Sequence, residues 1–82
     1  MHDTQEWEEE DGRLRRTFTF ADFRAALAFV NKVGDIAEQL GHHPDLCIRD
    51  YKKVIVSTTT HDQGNVVTER DRQLAAAIDA LI

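Results

Sequence analysis

Apolar residues recur along this chain at two spacings, and each change of spacing marks a new element. Over residues 13–20 the period is two: Leu14, Phe18 and Phe20 fall on one side, and Arg15, Thr17 and Thr19 on the other. Arg16 breaks the alternation. Trp7 anchors a short strand before it, and Asp11-Gly12 between them is a two-residue hairpin signal, because both central positions of a type I′ turn need positive φ. Over residues 22–40 the period becomes helical. Phe23, Leu27, Val30 and Ala37 form one stripe, and Phe29, Val33, Ile36 and Leu40 form a second beside it. One stripe is expected to cover the sheet, and the other to meet a partner subunit or a second helix. Gly34 lies mid-helix at a cost of about 1 kcal/mol relative to Ala, which suggests close approach by another backbone or simple tolerance, with close packing the favoured expectation.

Pro44 pushes His43 out of the helical region, so the helix is expected to stop around Leu40-Gly41. Residues 46–49 and 53–60 then read as strands joined around Asp50-Tyr51-Lys52. In the second of them Val54, Val56, Thr58 and Thr60 share one face, and Ile55, Ser57, Thr59 and His61 share the other if alternation persists. Residues 62–67 form a loop containing Gly64-Asn65. Thr68-Glu69-Arg70-Asp71 fits a capping box that opens a last helix, with Leu74, Ala77, Ile78 and Leu81 as its buried stripe. The order β-β-α-β-β-α implies an α+β domain: an antiparallel four-stranded sheet with two helices on one face. The other face or the edges stay uncovered.

At 82 residues the chain is expected to be one domain over 1–82, near the size where a single core only just suffices. Uncovered edges and a small core both favour pairing with another copy, as a homodimer or homotetramer. The net charge of −5 argues against direct nucleic-acid binding, since neutralising phosphates needs the opposite balance. Glu6, Glu8, Glu9, Glu10 and Asp11 contribute much of it, as a solvated edge strand and turn. Met1 to Gln5 reads as a loose end with His2 solvated. Cys47 is the single cysteine, so no internal disulfide forms, and a small core residue on a strand is expected. No apolar run is long enough to span a bilayer and the N-terminus lacks a signal-peptide layout; the cytoplasm is the expected location.

The candidate chemistry lies at His42-His43-Pro44-Asp45 and, one hairpin later, Thr60-His61. A histidine titrates near neutrality, so one ring can take a proton while a neighbour gives one. Adjacent histidines on extended backbone point to opposite sides and do not both enter one core, which places the pair on a rim. A three-histidine zinc site is disfavoured, because the spacing matches no helical ligand pair and no cysteine assists; no metal is expected.

Phe18-Thr19-Phe20-Ala21-Asp22-Phe23, Ala37-Glu38, Gly41-His42-His43-Pro44-Asp45, Thr60-His61-Asp62 and Thr68-Glu69-Arg70-Asp71 together resemble the pterin-4a-carbinolamine dehydratases, in a compact bacterial form. The resemblance implies removal of water from a 4a-hydroxytetrahydropterin to give the quinonoid dihydropterin, in recycling the pterin of aromatic amino acid hydroxylases, with no dissociable cofactor. By this resemblance His42 and His61 match the proton-transfer histidines, and His43 the one that binds and orients the pterin. Which histidine is the acid stays open. Glu38 and Asp71 match carboxylates near the site, and Pro44, Asp45 and Thr60, within the matched motifs, are expected to line the pterin pocket. Proteins that resemble this family also serve as transcriptional coactivators or enzyme assembly factors, so a non-catalytic interaction module is the alternative. The chain departs from the family pattern in four respects. The stretches before His61 and before Asp71 are each one residue longer than in many members, Asn65-Val66-Val67 stands where Gly-Gly and one apolar residue are more usual, and Leu46 replaces Trp.

Overall fold

A computed structural model describes residues 6–82; the expectations for Met1 to Gln5 lie outside the described residues. The elements are β1 (Glu8–Glu10), β2 (Arg13–Thr19), α1 (Phe23–Leu40), β3 (Asp45–Arg49), β4 (Lys53–Thr58), a 3-10 turn (His61–Gln63) and α2 (Glu69–Asp79). All pairings are antiparallel, and the strands lie in the order β1-β2-β4-β3. This is the expected α+β arrangement. Asp11 and Gly12 both take positive φ (53° and 75°), as a type I′ turn demands. Asp22 caps α1 by accepting from the Ala25 N–H at 2.8 Å.

The register sets Leu14 opposite Thr58, Arg16 opposite Val56 and Phe18 opposite Val54, and aligns Leu46 and Ile48 of β3 with the same two valines. These side chains meet Ala26, Phe29 and Val33 of α1 and Leu74 and Ile78 of α2. Phe29 stacks between Phe18 and Phe20, with ring centroids 4.8 and 4.9 Å away. Arg16 also points inward, and the structure explains why it breaks the alternation. Its guanidinium lies 4.5 Å from the centre of the Phe18 ring and 2.7 Å from Asp79 of α2, which also accepts the Trp7 indole N–H at 2.9 Å.

Several expectations are corrected. The buried line of α1 is Ala26, Phe29, Val33 and Ala37: Phe29 and Val33 come from one apolar stripe, Ala37 from the other and Ala26 from neither. Phe23 (49% exposed), Leu27 (43%) and Leu40 remain at the surface. A Cβ on Gly34 would meet nothing within 4 Å, so no backbone among the described residues packs there. Cys47 is exposed on the outer face of the sheet, because it alternates with the inward Leu46 and Ile48. In α2 the buried residues are Asp71, Leu74, Ala75 and Ile78, while Ala77 and Leu81 are half-buried. Alternation ends with β4 at Thr58: Thr58, Thr59 and Thr60 are all buried, and His61 opens the 3-10 turn.

Candidate active site

The C-terminus of α1 aims the first histidine. Gly41 adopts the left-handed conformation (φ 65°), and the N–H groups of Gly41 and His42 both turn back to the Ala37 carbonyl, a Schellman-type close. The turn carries His42 into the body of the protein, 7% exposed, and leaves His43 on the surface. Successive residues thus diverge as extended backbone dictates.

Asp71 waits beneath His42. It is wholly buried, at the third position of α2, where its carboxylate accepts the Thr68 N–H at 2.9 Å and completes the capping box. That same Oδ2 accepts the Thr60 hydroxyl at 2.8 Å, while Oδ1 accepts the Thr58 hydroxyl at 2.7 Å and meets His42 Nε2 at 2.6 Å. Burial opposes the charge, but bonds from His42, Thr58, the Thr68 backbone and Thr60 outweigh it and bring the carboxyl down from 3.8 to about 2. An ionised carboxylate only accepts. Every neighbour must therefore donate, so His42 carries a proton on Nε2 and Nδ1 is its nitrogen left for chemistry. The Thr60 proton is likewise committed to Asp71, so Thr68 Oγ1 donates to Thr60 Oγ1 across 2.7 Å while accepting the Arg70 N–H. A chain of aligned donors thus runs from the α2 backbone to the carboxylate.

The other two histidines are held differently. His43 Nε2 lies 2.5 Å from Glu38 Oε2, with both side chains largely in solvent. His61, in the 3-10 turn, is 2.8 Å through Nδ1 from Asn65 Oδ1. All three histidines nevertheless line one concavity of about 250 Å³, with Gly41, Thr59, Asp62 and Arg70. Arg70 spans its rim, donating to the Gly41 carbonyl at 3.4 Å and lying 3.6 Å from Asp62.

Not every residue expected at the site reaches it. Thr60 and Asp71 are buried behind His42, with Asp71 bonded to its ring, and do not face the concavity. Pro44 is half-buried at the corner. Asp45 turns to the open face of the sheet, where it pairs with Arg13 at 3.0 Å beside a larger hollow of about 410 Å³ that contains no histidine. The strand period explains this, since Asp45 shares a face with Cys47. Sequence reasoning missed Thr58 as a support of Asp71, Thr59 and Arg70 as lining, and Asn65 as a partner of His61. Two threonines on an otherwise apolar inward face were the signal for the first, because a buried hydroxyl needs a partner. Among the described residues no group of three or more His, Cys, Asp or Glu side chains is arranged to hold a metal ion.

Known proteins resemble this chain in sequence and in fold. A protein of Metallosphaera sedula, provisionally named pterin-4-alpha-carbinolamine dehydratase, is 48% identical over 75 residues, covering 92% of this chain and 76% of its own. One from Acidobacterium capsulatum with the same provisional name is 50% identical over 76 residues, covering 93% and 80%. The crystal structure of a transcriptional coactivator/pterin dehydratase from Brucella melitensis superposes with a TM-score of 0.82 at 35% identity, covering 93% of this chain and 81% of that one. The family described as pterin 4 alpha carbinolamine dehydratase matches residues 1–81. The chain belongs to the pterin-4a-carbinolamine dehydratase family.

Proposed function

We propose that this chain, a single pterin dehydratase-like domain over residues 1–82, is a 4a-hydroxytetrahydrobiopterin dehydratase, a cytoplasmic hydro-lyase of tetrahydropterin recycling. One observation carries the reading. Three imidazoles line one concavity, each with one nitrogen bonded to an acceptor oxygen and the other without a partner among the described residues. In the reaction the C4a–O bond breaks and the hydroxyl leaves as water after taking a proton. N5 loses its proton, and the N5=C4a double bond forms; no electrons are exchanged with a third party, so neither metal nor dissociable cofactor is required.

Such an elimination needs an acid at one end of a C–N unit and a base at the other. His42 is the acid in this reading, because Asp71 beneath it balances the charge of a second ring proton. His61, held by an uncharged amide, is the base. His43 binds and orients the pterin from the rim, with Glu38 fixing its ring and Pro44 setting the corner. The exposed apolar line of Phe23 and Leu27 on α1 supports assembly as a homodimer or homotetramer.

That line also favours a second reading, an interaction module that acts without catalysis, as the transcriptional coactivator/pterin dehydratase of Brucella melitensis is named for both roles. Stopped-flow absorbance of enzymatically generated 4a-hydroxytetrahydropterin separates the two. Acceleration over buffer by the wild type, sharply reduced in His42→Ala and in His61→Ala, is the expected outcome. No acceleration by a folded wild type sinks the dehydratase reading and leaves the module.

A further inference from the structure

The His61 side chain has a single hydrogen-bond partner among the described residues, the Asn65 side chain, and that partner is rigidly placed. Asn65 sits in the left-handed region (φ 60°), where asparagine is among the few non-glycine residues at ease. Its N–H donates to the Thr60 carbonyl at 3.1 Å, and the next residue closes an antiparallel bridge, Thr60 N–H to the Val66 carbonyl at 3.0 Å. From the other side the β1–β2 turn presses on it. A Cβ on Gly12 would lie 2.0 Å from the Asn65 carbonyl oxygen, and the Gly12 carbonyl accepts the Thr59 hydroxyl at 2.6 Å. The loop is therefore clamped between hairpin and strand end. Within it the Asn65 side chain lies against His61.

The geometry points to Asn65 as a positioning residue that holds His61 in the Nδ1–H tautomer, so that Nε2 carries the open lone pair. An amide oxygen accepts and cannot donate, so Nδ1 must bring the proton. This differs from His42, whose Nε2 proton is fixed by a carboxylate and whose open nitrogen is Nδ1. Unlike a carboxylate, the amide adds no negative charge to hold a second proton on the ring. Asn65 thereby makes His61 the acceptor of the pair. For its catalytic consequence the proposal rests on the dehydratase reading; the tautomer itself does not.

The test is the long-range ¹H–¹⁵N spectrum of uniformly ¹⁵N-labelled protein, with the His61 signals assigned through His61→Gln and recorded where the ring is neutral. Wild type is expected to show a protonated Nδ1 and an unprotonated Nε2, and Asn65→Gly, which suits the positive φ and keeps the loop folded, is expected to shift the ring toward Nε2–H. A wild-type ring already in the Nε2–H form, or an unaltered ring in Asn65→Gly, overturns the proposal whether or not the protein is a dehydratase. In a protein that accelerates dehydration, Asn65→Gly should lower kcat about tenfold with KM unchanged, and Asn65→Asp, which keeps an acceptor oxygen, should recover part of the loss. An unchanged kcat in an active protein overturns the positioning role; absence of wild-type activity overturns the dehydratase reading and leaves the spectrum to decide the tautomer.

Discussion

His42–Asp71 and His43–Glu38 are the same chemical pair at nearly the same distance, 2.6 and 2.5 Å, on neighbouring residues of one corner. They differ in burial: the side chains of the first pair are 8% and 0% exposed, those of the second 63% and 76%. In the first, each oxygen of the carboxylate has two donors, and the ring has one allowed tautomer. In the second, water competes for every bond. Distance alone does not say what a pair does. Burial converts one into a fixed element of the fold and leaves the other adaptable, which in the proposed reading suits a ring that binds substrate at a rim.

Breaking the buried pair should have the largest effect. Asp71→Ala leaves the Thr58 and Thr60 hydroxyls, the Thr68 N–H and the His42 ring without their acceptor, and removes half of the capping box. A loss of about 3–4 kcal/mol is expected in urea unfolding, with Asp71→Asn losing less because it keeps one acceptor oxygen. A loss under about 1 kcal/mol for Asp71→Ala would show that the network is not what holds this corner.

On activity the two histidines should separate by kind. His42→Ala is expected to lower kcat about a hundredfold, the usual scale for a positioned proton donor. His43→Ala should act mainly on KM, raising it about tenfold, because an exposed rim residue contributes to binding in ground and transition states alike. Equal losses of kcat in both variants would erase the distinction drawn between them.

Acid sharpens it next. Asp71 is lowered in the fold from 3.8 to about 2, so its ionisation favours the folded state. The sign follows: the contribution is complete above about pH 4 and is lost as pH falls toward 2, amounting to about 2 kcal/mol. Unfolding free energies of wild type and Asp71→Asn, measured from about pH 5 downward, should converge as the acid limit is approached. Parallel curves would place the acid sensitivity elsewhere.

Local chemistry was legible in the sequence, and long-range partnership was not. Asp11-Gly12 requires its turn, and Thr68 with Asp71 forms its capping box, from residues close in the chain. The motif also located the histidines. Yet Asp71 as a cap explained itself completely, and nothing local revealed that His42, 29 residues away, shares its carboxylate. Asp45 belonged to the same motif but follows the strand period out to Arg13, since a motif fixes sequence spacing and a pleat decides the face. Thr59 was misplaced because alternation holds only while the ladder continues, and β4 ends one residue earlier. The burial line of α1 shifted to take in Ala26, which neither apolar stripe contains, in one cluster with Phe29, Val33 and the sheet residues Phe18 and Val54, so the covering surface and not helical period alone decides which residues are buried.

The exposed pair gives the smallest effect and the most discriminating one. Glu38→Ala should change stability by less than about 0.5 kcal/mol, since both partners are solvated and the bond replaces bonds to water. Its effect should instead appear in substrate affinity: freed from Glu38, the His43 ring samples more orientations, and KM should rise about threefold while kcat holds. Salt tells the two pairs apart. Raising ionic strength from about 0.05 to about 0.5 M shortens the screening length to a few ångströms, so the wild-type KM should drift toward that of Glu38→Ala while the stability contributed by the buried Asp71 stays almost constant. A Glu38→Ala variant that unfolds like Asp71→Ala would mean that proximity, and not burial, sets the strength of an imidazole–carboxylate pair at this corner.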